Sequence, residues 1–144
     1  MHKSRLAGFI IDCKTADLEA AAQFWSAALG LPLRPRAEES GPDQYREILT
    51  RPDEPHIEVQ SVSHESRLHL DIESDDIEAE VARLEALGAK RMQQFPRWWV
   101  MEAPTGHRFC VVSPQKPAPT KVALPAVAES SKLTVPLSEL VLIV

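Results

Sequence analysis

The chain has 144 residues, 44% of them hydrophobic and 26% charged, the proportions of one soluble domain with a real core. A formal net charge of -5 and the lack of any long Lys/Arg run exclude an electrostatic footprint for nucleic acid or an anionic membrane surface. The apolar run Leu6 to Ile11 stops at Asp12, too short for a signal-peptide core or a membrane span, so a cytoplasmic protein is expected, with Cys13 and Cys110 as reduced thiols.

Gly8 to Cys13 is the first strand candidate. A helix is predicted to start near Thr15 to Asp17, both N-cap types, with Leu18, Ala21, Ala22, Trp25, Ala28 and Leu29 recurring at helical spacing as one apolar stripe. Gly30 stops it, and Pro32 prevents continuation. Tyr45 to Thr50 and His56 to Val62 follow as short strands. In Arg67 to Glu73, Leu68, Leu70 and Ile72 alternate with His69, Asp71 and Glu73, predicting a strand with its leucines under a helix and His69 facing a cavity. A second helix begins at Ser74-Asp75-Asp76, where Asp75 and Glu78 have capping-box spacing, and Ile77, Val81, Leu84 and Leu87 carry its stripe to Gly88. Trp98 to Glu102 and His107 to Ser113 are the last strand candidates.

Asp17 to Gly30 and Asp75 to Gly88 have equal lengths, so the chain reads as an internal repeat, β-α-β-β-β twice. The expected fold is α+β: two βαβββ modules, about residues 6–62 and 67–113, within a domain spanning 1–113. Each sheet face opposite its helix is left to line a shared pocket. Pro114, Pro117, Pro119 and Pro125 break regular structure in a C-terminal extension, residues 114–144. Its apolar end, Leu140 to Val144, is too hydrophobic for solvent and too short to span a bilayer. Leu133 to Val144 is therefore expected to lie buried against protein in a homodimer, either on its own chain or, by preference, on the neighbouring subunit.

The duplicated strand and helix, the Phe24-Trp25 pair ahead of Ala28-Leu29-Gly30, and the run Pro104-Thr105-Gly106-His107-Arg108-Phe109-Cys110-Val111 together resemble the vicinal oxygen chelate superfamily. More narrowly they are similar to its glyoxalase-like domains, of the glyoxalase, bleomycin-resistance and dioxygenase group, over about Leu6 to Ser113. In metal-dependent members the ligands come from the first and last strands of each module. Carried over, the resemblance implies Ile10 and His69 on the first strands and Glu58 and Cys110 on the last. Ile10 has no donor atom, and Cys110 offers sulfur where the family usually has a carboxylate. Glu58 and His69 alone would hold a metal weakly, so no tightly held stoichiometric divalent ion is expected. With Cys110 added, the set suits zinc better than magnesium or calcium. Zinc, nickel or manganese thus stands as the alternative to no cofactor.

Glu58 and His69 are the candidate catalytic residues, and Asp12, Gln60, Asp71, Trp98, Trp99 and Cys110 the candidate ligand contacts. His69 with Glu58 is either a general base and ligand contact or a structural hydrogen-bonded pair. Asp12 and Asp71 face the same way near their strand edges, where solvation or bonding to loop backbone competes with ligand contact. Trp98-Trp99 puts one indole on each side of a strand. Cys110 reads as a buried small hydrophobe rather than a nucleophile. Arg34, Arg36, Arg46 and Arg51 either form a solvated face or meet an anionic substrate. The function expected is a glyoxalase-like small-molecule-binding protein, metal-independent or weakly metal-binding, whose partners include no nucleic acid and no membrane. The alternative is a divalent-metal lyase or isomerase in which the ion polarises an enolisable carbonyl and Glu58 serves as ligand or base.

Overall fold

The computed structural model describes residues 2–36 and 44–114. Its elements in chain order are β1 (Ser4–Cys13), α1 (Leu18–Leu29), β2 (Tyr45–Ile48), β3 (His56–Ser61), β4 (Arg67–Ser74), α2 (Ile77–Ala86), β5 (Lys90–Phe95), β6 (Trp98–Glu102) and β7 (Arg108–Val112). The strands form one sheet in the order β2-β3-β1-β4-β7-β6-β5. Within each half the first strand pairs in parallel with the last, β1 with β3 and β4 with β7. The halves meet where β1 runs antiparallel to β4. The expected extension with its apolar end, from residue 115 onward, lies outside the described residues.

Local chemistry fixes both helices. Asp17 accepts the amide hydrogen of Ala20 at the start of α1, and Gly30 closes it in the left-handed conformation at φ 68°. Ala22 and its stripe neighbours Leu18, Ala21 and Trp25 then pack on Ile48 and Val59. The second half repeats this with Val81 and Leu84 of α2 against Met101, Phe109 and Val111. Burying each such aliphatic side chain contributes about 1.5–3 kcal/mol.

Four expectations are corrected. The cap of α2 is Asp76, which accepts from Ala79, whereas Asp75 accepts from the Lys3 backbone amide and Glu78 turns to Trp99 and Arg91. Asp17 and Asp76 thus stand as far apart in sequence as Ile10 and His69, so strand and helix repeat in one register. Leu68 and Leu70 are 55% and 40% exposed and only Ile72 packs in the core, because α1 lies over β2 and β3 and α2 over the second half, leaving the β1–β4 seam between them. A strand unmarked by hydrophobic alternation, β5, forms the outer edge of the second half. Among the described residues its counterpart in the first half is a single bridge between Leu33 and Ile48. Pro32 and Pro35 flank that bridge and have no amide hydrogen to extend it.

Gly8 shows how tightly β1 and β3 are joined. It pairs with His56, and a Cβ placed on it would sit 2.5 Å from both the His56 ring and its backbone carbonyl oxygen. Backbone cannot yield as a flexible side-chain tip does. Gly8→Ala is expected to destabilise the protein by about 1–3 kcal/mol through overpacking, measured as a lower urea midpoint at unchanged slope.

Candidate functional site

Strand alternation turns one side chain of every second residue away from the helices. On that face a cavity of about 970 Å³ is lined by Tyr45, Glu58 and Gln60 from the first half, Ile10, His69 and Asp71 along the seam, and Phe95, Trp98, Val100, Arg108 and Cys110 from the second. The loop carrying His64 and the start of β4 at Arg67 close one end.

The centre of the site is a charge cluster at the seam. Ile10 lies directly opposite His69 in the β1–β4 register, and Asp12 is the next residue of β1 on the same face. His69 Nδ1 donates to Asp12 Oδ2 at 2.8 Å, Arg67 Nε donates to the same oxygen at 3.3 Å, and His64 Nε2 stands 3.8 Å from it. The Asp12 side chain is 1% exposed, so His69 and Arg67 stand in for its solvation. Asp12 Oδ1 has no hydrogen-bond partner among the described residues. On the other side of the ring, His69 Nε2 faces Asp71 Oδ1 at 3.5 Å, too long for a good hydrogen bond, and that oxygen is also buried without a hydrogen-bond partner.

These contacts set the protonation states. Burial by itself would lower the His69 pKa, but the hydrogen bond to Asp12, the longer ion-pair contact with Asp71 and the contact with Cys110 outweigh it and raise the value to about 11. His69 is an imidazolium across the neutral range. Burial would raise Asp12, yet His69 and Arg67 together hold it below its usual range. Burial pushes Glu58 above the usual carboxylate range, with Asp71 and Glu47 adding to the push and His56 and His69 opposing it. Burial also lifts the Cys110 thiol and the Tyr45 phenol, whose oxygen accepts from Gln60 Nε2 at 3.0 Å.

Glu58, Gln60, His69, Asp71, Trp98 and Cys110 therefore line one cavity. Asp12 does not line the cavity itself and reaches it through His69, Arg67 and His64, which do. Trp99 is on the helix side, where its Nε1 donates to Glu78 at 2.6 Å and the Arg91 guanidinium sits 4.9 Å from its ring centroid. Trp98 instead stacks on Phe95 at 4.6 Å. His69 pairs with Asp12 rather than Glu58 because β1 stands between β3 and β4. At about 4.8 Å per strand the two backbones are roughly 10 Å apart. Tyr45, His64, Arg67 and Phe95 are contributors that sequence reading passes over. Phe95 sits on the unrecognised β5, while Tyr45 had a detectable signal in opening a strand. Arg34 pairs with Glu47, Arg46 with Glu19 and Arg51 with Asp53; neither these arginines nor Arg36 lines the cavity.

The four positions implied for a metal do not fit one. Glu58, Ile10 and His69 form a row across three strands, and its middle member has no donor. The last-strand assignment also shifts: Asp12 pairs with Gln60 as its counterpart Asp71 pairs with Cys110, so Gln60 rather than Glu58 occupies the place equivalent to Cys110.

The family model described as Glyoxalase-like domain matches residues 8–112. No curated protein matches the chain. Among solved structures, a hypothetical protein from Bacillus halodurans C-125 is similar at 15% identity, covering 81% of this chain and 99% of that one with a TM-score of 0.53. A protein described as an NAD-dependent benzaldehyde dehydrogenase from Legionella pneumophila is similar at 9% identity, covering 73% and 97%, with a TM-score of 0.52. A glyoxalase/bleomycin resistance protein/dioxygenase superfamily member from Vibrio splendidus 12B01 shares 14% identity over 72% and 97%, at a TM-score of 0.42. At these identities the first two show the fold alone, and the third adds no argument. Among the described residues no helix is long and apolar enough to cross a membrane.

The Asp12–His69 pair makes stability depend on pH in a defined direction. His69 is raised from 6.5 to about 11, so its contribution is complete below about pH 6.5 and is lost as pH rises through about 11. Asp12 is lowered from 3.8, so its share is present above that value and is lost on acidification through the depressed one. His69→Gln is therefore expected to lower the unfolding free energy most in mildly acidic solution and progressively less toward strongly alkaline solution. Urea melts of both proteins across that range check this; a deficit that grows with rising pH would reverse the sign.

Proposed function

Because the chain belongs to the glyoxalase-like domain family, we propose that it binds a small, partly aromatic molecule in the cavity between its two modules and needs no ion at the four family positions to do so. The observation that carries this reading is the division of the cavity. One wall is apolar, with the stacked Phe95 and Trp98 beside Val100. The other is polar, with Glu58, Gln60 and Tyr45, and the His69 imidazolium lies between them. A cavity of about 970 Å³ matches the upper range for small-molecule sites.

In this reading the planar part of the ligand lies on Trp98, and a carbonyl or carboxylate oxygen accepts from His69 Nε2, whose alternative partner Asp71 is too distant to hold it firmly. Glu58, held above its usual range by burial, exchanges a proton with the ligand or donates a hydrogen bond to it. Sequestration uses these contacts as they stand, and modification adds the proton exchange. The donorless Ile10 in the row from Glu58 to His69 counts against the metal-dependent lyase or isomerase.

A thermal-shift screen of small aromatic acids, ketones and phenols against chelator-treated protein tests the proposal, since a ligand of the native state raises the melting temperature. Hits are expected to weaken by up to about tenfold in Trp98→Ala, the value of about 0.5–1.5 kcal/mol for an aromatic contact beyond its area. They are expected to persist in Trp99→Phe. Hits indifferent to both Trp98→Ala and Glu58→Gln would place binding elsewhere.

A further inference from the structure

From the second half of the sheet we infer a metal site of the zinc class, formed by His69 Nε2, an Asp71 carboxylate oxygen and Cys110 Sγ, with Asp12 positioning the histidine. The three donor atoms lie within 4.8 Å of one another. The site deepens the pocket reading by giving its floor a metal, and rests on that reading for the cavity alone. It differs from the four-position set because it lies within one module, includes Asp71 and excludes Ile10 and Glu58.

The strand register produces the cluster. Asp71 and Cys110 are direct cross-strand partners on β4 and β7, and His69 is two residues from Asp71, hence on the same face. Zinc bonds of about 2.0–2.3 Å require ligands roughly 3.3–3.8 Å apart in a tetrahedron, so a contraction of about 1 Å by side-chain rotation closes the set. The Asp71 oxygen nearest His69 is buried and has no hydrogen-bond partner among the described residues, and the His69 contact at 3.5 Å answers it only in part, at the place an ion would occupy.

Orientation is the second independent feature. Asp12 takes the Nδ1 proton of His69 at 2.8 Å, fixing the ring so that Nε2 points at Asp71 and Cys110. A carboxylate behind a histidine nitrogen is the arrangement that aims metal-binding imidazoles and raises their basicity. Sulfur with imidazole selects zinc, cobalt or a similar borderline ion over magnesium and calcium. All three donors line the cavity, so a fourth position opens toward bound ligand or water, the layout of a catalytic rather than a closed structural zinc site.

Cobalt(II) titrated into the reduced, chelator-treated full chain reads this site directly, because thiolate ligation gives a near-ultraviolet sulfur-to-cobalt charge-transfer band and four-coordination gives strong visible bands. The expected result is saturation at about one equivalent with both signatures. Cys110→Ser and Cys110→Ala, each with native circular dichroism, are expected to abolish the sulfur band, whereas Cys13→Ser, on the opposite face, keeps it. Asp71→Asn and Asp12→Asn are expected to weaken cobalt by about 10- to 100-fold, and Glu58→Gln to leave it unchanged. Absence of a sulfur band, a band that follows Cys13, or weakening by Glu58→Gln equal to that by Asp71→Asn would overturn the assignment. Ligand shifts scored in chelator-treated protein are read without metal, so failure here is distinguishable from failure of the pocket reading.

Discussion

The seam between β1 and β4 is held by hydrogen bonding of its backbones and by one buried anion, and the site depends on that anion. Asp12 belongs to the first module, yet His69 and Arg67, which neutralise it, belong to the second. A carboxylate at 1% exposure is costly unless it is paired, and removing one partner of such a pair typically costs about 3–5 kcal/mol. The two modules are thus tied electrostatically at the point where neither helix covers them. The same bond sets the imidazole plane and decides which nitrogen faces the cavity.

The internal repeat explains why the cavity has unlike walls. Equivalent positions share a register but differ in chemistry: Ile10 against His69, Gln60 against Cys110, Tyr45 against Val100. Two identical modules would offer two identical walls. Here the first half presents oxygen donors and acceptors, and the second presents sulfur, imidazole and stacked rings. The shortened edge at Leu33, enforced by Pro32 and Pro35, leaves β2 and the Tyr45–Gln60 contact as the polar margin.

Much of the fold was legible because it is written in short-range chemistry. Period-two alternation placed β4 and the cavity side of His69, and acidic caps with terminal glycines placed both helices within a few residues. Elements specified by the neighbouring backbone were not legible. The strand β5, Lys-Arg-Met-Gln-Gln-Phe, is mostly polar, with Met92 and Phe95 too few and unevenly spaced to mark an alternation, because an outer edge has little core to face. Leu68 and Leu70 satisfy the alternation but stand over the gap between helices, a tertiary fact absent from their spacing. For the site, alternation named the residues that share a face but not which of them touch. His69 paired with Asp12 instead of Glu58 because strand order, 2-3-1-4, puts β1 in between.

Strand order also determines the electrostatics of the floor. Two carboxylates, Asp12 and Asp71, flank His69, and each keeps a buried oxygen without a hydrogen bond. A neutral imidazole could satisfy only one of them by donation, so two adjacent buried anions favour the doubly protonated ring. The charge His69 carries is therefore imposed by its neighbours on both sides rather than by solvent. Any species that can replace the proton on Nε2, whether a hydrogen-bond acceptor that shares it or a cation that displaces it, enters a place already shaped for positive charge. Glu58, across the Ile10 strip, is pushed toward its protonated form by burial and by the neighbouring carboxylates. The cavity thus joins a cationic imidazolium to a carboxyl that burial disposes to keep its proton, so both sides of the Ile10 strip present hydrogen-bond donors.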